Sequence, residues 1–147
     1  MRIVGMMQDN RSNSALWREL REQRKLLYEE TNMSLDIWCE IPSRVCIHCG
    51  HDQGQSGNSY NMTHNVIPMW KKAGCCDALY ESEGKMVKDV LPDLERGLSA
   101  LEADPEGFKK LDSPNGWGIY WHALGFLQDV VRDFRAAPSD AVVKVSR

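Results

Sequence analysis

Ser34-Leu35-Asp36-Ile37-Trp38-Cys39-Glu40-Ile41 is the stretch whose reading decides the fold class. Leu35, Ile37, Cys39 and Ile41 fall on one side of an extended chain. Asp36, Trp38 and Glu40 fall on the other. Strict alternation of this kind fits a half-buried strand and no helix, because side chains switch faces at every residue of a strand. Pro42 ends it. The rest of the chain must therefore supply a cover for the apolar face of this strand.

Downstream, residues 43–58 read as a loop, rich in Gly, Ser, Gln and Asp after Cys49. Tyr60 to Val66 reads as a second strand. Tyr60, Met62, His64 and Val66 share one face, and Asn61, Thr63 and Asn65 the other. Ile67 to Ala73 predicts a short helix, with Pro68 in its first turn and Gly74 closing it. Cys75 to Tyr80 adds another helical turn. Lys85 to Ala103 is amphipathic, with Val87, Val90, Leu91, Leu94, Leu98 and Leu101 at spacings of three and four. Pro92 sits near its start. Asp104-Pro105 caps a short helix running to about Leu111.

The last long helix is expected from Trp117 to Ala136. Tyr120, Ala123, Leu124, Leu127, Val130, Val131 and Phe134 line its apolar face. Residues 141–146 are β-branched and return the chain to the sheet. The expectation is an α+β domain: a small, mostly antiparallel sheet of about three strands packed against helices.

Upstream, Ser14 to Glu30 has a thin apolar stripe of Leu16, Leu20 and Leu27. It reads as an outer helix or an arm that docks on a partner. Met33 precedes the strand and is a candidate second start. Residues 1–32 are accordingly read as an N-terminal helical extension and 33–147 as a single domain.

Composition bounds the function. The 147 residues carry a net charge of -3, with basic residues interleaved among acids. That argues against general nucleic-acid binding, which needs a basic face. No apolar run approaches the ~20 residues of a membrane span. The first residues turn polar too soon for a secretory signal, and the five cysteines are odd in number. The chain therefore reads as cytoplasmic with reduced thiols.

Three clusters are candidates for chemistry. Cys46-Ile47-His48-Cys49-Gly50-His51 has the shape of a zinc knuckle, since two thiolates at that spacing grip one tetrahedral metal. Cys46, Cys49 and His51 are the expected ligands of a structural zinc. The remaining ligands would come from His48, Cys39 or the Cys75-Cys76 pair. The alternative is a loop of free thiols. In the second cluster, Asn61, Thr63 and Asn65 present directed hydrogen-bonding groups. His64 lies on the opposite face. Asn65 also suits capping of the next helix.

The third cluster is Asn115-Gly116-Trp117-Gly118, ahead of a helix start where free N–H groups favour an anion. Trp117 would stack on a ring. The alternative is a tight turn with the aromatics in the core. Carboxylate pairs offer little: Asp36 and Glu40 lie roughly 13 Å apart along one strand face. No Gly-x-Ser-x-Gly elbow or Walker motif occurs.

Several of these segments together resemble a family of small proteins of bacteriophages and some bacteria. They are Asn61 to Trp70 with Ala73-Gly74, the helix Leu91 to Leu101 leading into Asp104-Pro105 and Phe108, Asn115 to Tyr120, and Val143 to Arg147. The resemblance covers residues 33–147 and leaves the first helix outside. It carries over no catalytic residue. Members of similar pattern often lack the Cys-x-x-Cys loop, which implies an accessory, structural knuckle.

The expected function is a non-enzymatic, phage-type accessory protein. It would hold a small polar or anionic ligand, such as a nucleotide, between Asn61, Thr63 and Asn65 and the Asn115–Gly118 turn. The alternatives are a nucleotide-directed hydrolase or transferase with His64 or His122 as general base, and an adaptor that binds a protein partner.

Overall fold

A computed structural model describes residues 18–20, 34–52 and 54–147. The chain divides into two units, Met1–Met33 and Ser34–Arg147. In the first unit, Arg18, Glu19 and Leu20 are helical and exposed. The rest of the helix expected from Ser14 to Glu30, and the candidate start at Met33, lie outside the described residues.

The second unit is built on β1 (Ser34–Ile41), where Leu35, Ile37 and Cys39 are buried and the residues between them are half-buried. β2 (Gln55–Ser56), β3 (Tyr60–Thr63) and β4 (Val142–Ser146) all pair with β1, and all are antiparallel. Asp36 pairs with both Asn61 and Ser146, and Glu40 with both Ser56 and Val142. A residue has one neighbour on each side, so β2 and β3 lie end to end along one edge and β4 runs along the other. The expected α+β class is the observed one, with four strands. The extra strand, β2, is two exposed residues with no apolar pattern to announce it.

The free edge of β4 is covered by its own chain. Gly84 N–H donates to the Val143 carbonyl at 2.9 Å, and Val143 N–H to the Lys85 carbonyl at 2.8 Å. The Glu83 carboxylate accepts the Val145 N–H, which holds that carboxyl below its ordinary range. An edge occupied in this way cannot template another strand.

The helices are α1 (Ile67–Ala73), α2 (Cys76–Tyr80), α3 (Val87–Ala103), α4 (Pro105–Lys109) and α5 (Tyr120–Ala136). They cover the apolar face of the sheet. One core joins Leu35, Ile37, Met62 and Val143 to Trp70 of α1, Leu94 and Leu101 of α3, and Leu127 and Val130 of α5. Burying each such side chain contributes about 1.5–3 kcal/mol. Tyr120 is buried, and its hydroxyl donates to the Leu101 carbonyl at 2.8 Å, tying the start of α5 to the end of α3. No helix among the described residues is long and apolar enough to cross a membrane.

The two boundaries next to the site differ from expectation, each for a local reason. β3 stops at Thr63 rather than Val66. The Thr63 hydroxyl accepts the Asn65 N–H at 3.3 Å and caps a 3-10 turn over His64–Val66. Asn65 therefore shares no strand face with Asn61. α5 starts at Tyr120 rather than Trp117, because Gly116 and Gly118 take φ of 76° and 83°, outside the helical region.

Candidate functional site

The turn before α5 is held by a series of local hydrogen bonds. Gly116 N–H donates to the Ser113 carbonyl at 3.0 Å. The Asn115 side-chain oxygen accepts the Trp117 N–H at 2.9 Å and the Ser113 hydroxyl at 2.7 Å. This is an Asx-type turn, in which a side chain imitates the backbone. From the other side, the Asn65 amide donates to the Trp117 carbonyl at 3.1 Å. Gly118 is buried against Thr63, Asn65 and Val66, so the turn sits directly on the end of β3.

Both backbone groups of Trp117 are thus pinned, while the residue itself is 72% exposed. The structure brings Thr63 together with Gly116, Trp117 and Gly118, and adds His122 from the first turn of α5. These five residues line a cleft of about 270 Å³. That is just below the roughly 300–1,000 Å³ of typical ligand pockets, so the cleft suits one ring system and not a dinucleotide.

Several expected site residues have other roles. Asn61 is exposed on the outer face of the sheet, with its amide on Ser34 Oγ and Asp36 Oδ1, each at 2.9 Å. It does not line the cleft. His64 Nδ1 lies 2.7 Å from the Tyr80 hydroxyl in a half-buried pair, also outside the cleft. Asn115 and Asn65 spend their side chains on the turn. The helix start is not an open anion site either: Asp112 Oδ1 accepts the Tyr120 N–H at 2.6 Å, placing a carboxylate where an anion was expected.

The residue missed as a cleft wall was His122. In the sequence it is an alternative general base, and its place off the apolar stripe of α5 is the one signal that favours a surface role for it. The role of Asp112 had no sequence signal beyond a loop position.

The Cys46–Cys49 segment forms a tight turn. An antiparallel bridge joins Val45 and Asp52. Inside it, Cys46 N–H donates to the His51 carbonyl at 2.9 Å, and Gly50 N–H to the Cys46 carbonyl at 2.8 Å. Gly50 sits at φ 69°, the left-handed position that lets the loop turn back. The neighbouring His48 and Cys49 backbone N–H groups, and then the Cys49 thiol, lower the pKa of the Cys46 thiol.

The set of ligands is incomplete. Among the described residues, no three His, Cys, Asp or Glu side chains converge to hold a metal. His51 does not complete a trio with Cys46 and Cys49. Cys39 and Cys75 are core residues, and burial raises the Cys75 thiol to about 12. Cys76 is half-buried and also raised, first by desolvation and then by Asp77.

No family model, no curated protein and no solved structure matches the chain.

Proposed function

We propose that the protein is a non-enzymatic binding module for a small, flat-faced polar ligand of nucleobase or nucleoside type. The ligand stacks on Trp117 and turns its polar edge toward the Thr63 hydroxyl and the His122 ring. The observation that carries this reading is the rigid presentation of Trp117. Two positive-φ glycines, an Asx turn and a cross-segment amide bond hold the backbone of a large apolar side chain that remains in solvent. Exposing an indole forgoes its burial energy, and a preorganised aromatic recovers that energy by stacking.

Asp112 sharpens the ligand class. Its carboxylate already caps α5, so a phosphate there meets a like charge and no free amide at Tyr120. Recognition is directed at the base. Adenosine therefore binds at least as tightly as adenosine monophosphate.

The test is a titration of the full chain with the four common nucleosides and their monophosphates, followed by tryptophan fluorescence and thermal shift. Trp117→Ala is expected to weaken binding about fivefold or more, since stacking of one base contributes about 1–3 kcal/mol. Equal binding by Trp117→Ala, or no binding of any of the eight compounds by the parent chain, overturns the proposal.

A further inference from the structure

We propose that the Cys46–Cys49 knuckle is half of a tetrahedral zinc site, and that the same knuckle of a second copy of this chain completes it. The ligand count comes first. Two thiols three residues apart occupy two corners of a tetrahedron, and a structural zinc site fills all four. Every cysteine and histidine of the chain lies among the described residues: Cys39, Cys46, Cys49, Cys75 and Cys76, and His48, His51, His64 and His122. None of them brings a third ligand to Cys46 and Cys49. In this conformation the hairpin presents two accessible thiols, Cys46 and Cys49, one pair per copy. A two-fold axis through the metal doubles two thiolates into four, because such an axis places the same patch of each subunit against itself.

The surface around the sulfurs points the same way. Ile47, between the two cysteines, is 92% exposed, and Val45, beside Cys46, is 64% exposed. These are two of the five large apolar side chains exposed among the described residues. A solitary knuckle leaves both in water. Two knuckles meeting at a shared zinc cover all four apolar side chains around the metal, where water exclusion protects thiolate bonds. The hairpin is also accessible: Cys49, Gly50 and His51 are all exposed, so nothing described in this unit blocks a second copy from approaching. On binding, each thiol gives up its proton, so four protons leave as one zinc ion joins two chains.

The experiment uses the full chain, reduced and stripped of metal, titrated with zinc alone while its mass is followed by light scattering after size exclusion. The expected result is a zinc-driven doubling of mass with one zinc per two chains, reversed by chelator. Cobalt in place of zinc is expected to give the absorption of a tetrahedral four-thiolate centre. Cys46→Ser with Cys49→Ser is expected to stay monomeric with zinc. Because this hairpin is exposed and outside the core, the variant should keep the circular dichroism and melting of the parent without metal.

Ile47→Asp keeps both thiols and is expected to weaken the zinc-bound dimer roughly tenfold or more, from the loss of a buried isoleucine. One zinc bound per single chain, a dimer that forms equally without zinc, or no zinc bound at all overturns the proposal. The ligand cleft at Trp117 is separate from the knuckle, so either proposal survives failure of the other.

Discussion

Gly118 shows how a single residue carries two constraints at once. Its φ of 83° strains any other side chain, and a Cβ there would meet Thr63 Cγ2 at 2.8 Å and Val66 Cγ1 at 2.9 Å. Gly116, two residues earlier, has φ 76° but nothing within 4 Å of a Cβ. Gly116→Ala therefore pays for conformation alone, about 1 kcal/mol. Gly118→Ala pays that and a steric term against β-branched neighbours, for a total of about 2–4 kcal/mol. Urea unfolding of both variants checks the ordering, and equal losses would show that the turn does not press on β3. At this scale the sequence was half legible. Asn115-Gly116 reads plainly as a turn, but an asparagine that caps its own turn and one that binds a ligand have the same sequence signature. Only the bond from Trp117 N–H to Asn115 separates them.

At the scale of elements, periodicity was a sound guide where packing on one face set the structure. β1 has the alternation read for it, and α3 buries Val87, Val90, Leu94 and Leu101 from the expected stripe. Periodicity failed where one side chain overrode it. The Asn61, Thr63, Asn65 alternation runs on past Thr63, whose hydroxyl ends the strand.

Gly97 is a buried member of the α3 face that no apolar pattern can flag. Alanine is intrinsically better than glycine in a helix by about 1 kcal/mol. At Gly97, however, a Cβ would lie 2.6 Å from both Cβ and Sγ of Cys75. Overpacking of this kind costs about 1–3 kcal/mol, and Cys75 is itself fully buried with no solvent side to move into. Steric cost wins, so Gly97→Ala is expected to lower the melting temperature. A rise would mean that the segment between α1 and α2 yields easily. In the same assay, Gly125→Ala on α5, with nothing within 4 Å of its Cβ, serves as the control and is expected to stabilise.

For the whole molecule, the order of elements was enough to give an α+β domain, but not the bonds that lock its layers together. One such lock joins β3 to α5. The Tyr60 hydroxyl donates to the Asp133 carboxylate, and the Asn58 amide donates to the same oxygen at 3.1 Å. Arg132 Nε lies 3.3 Å from the other oxygen. The Tyr60 hydroxyl first, then Asn58 and Arg132, hold the Asp133 carboxyl below its ordinary range against the opposing effect of burial. A carboxyl whose folded-state pKa is depressed stabilises the fold above its unfolded pKa, about 3.9. That stability is lost as pH falls through the folded-state value. Asp140, held low first by Arg44, and Glu83, held low first by the Val145 N–H, act with the same sign.

The chain is therefore expected to lose stability progressively below about pH 5. Tyr60→Phe removes the largest contribution to the Asp133 shift while keeping the ring. It is expected to cost about 1–2 kcal/mol at pH 7. The gap between parent and variant should then narrow as Asp133 protonates. Urea midpoints measured from pH 7 to pH 2 test this, and a gap that stays constant over that range would show that the hydroxyl stabilises the fold without acting through the Asp133 charge.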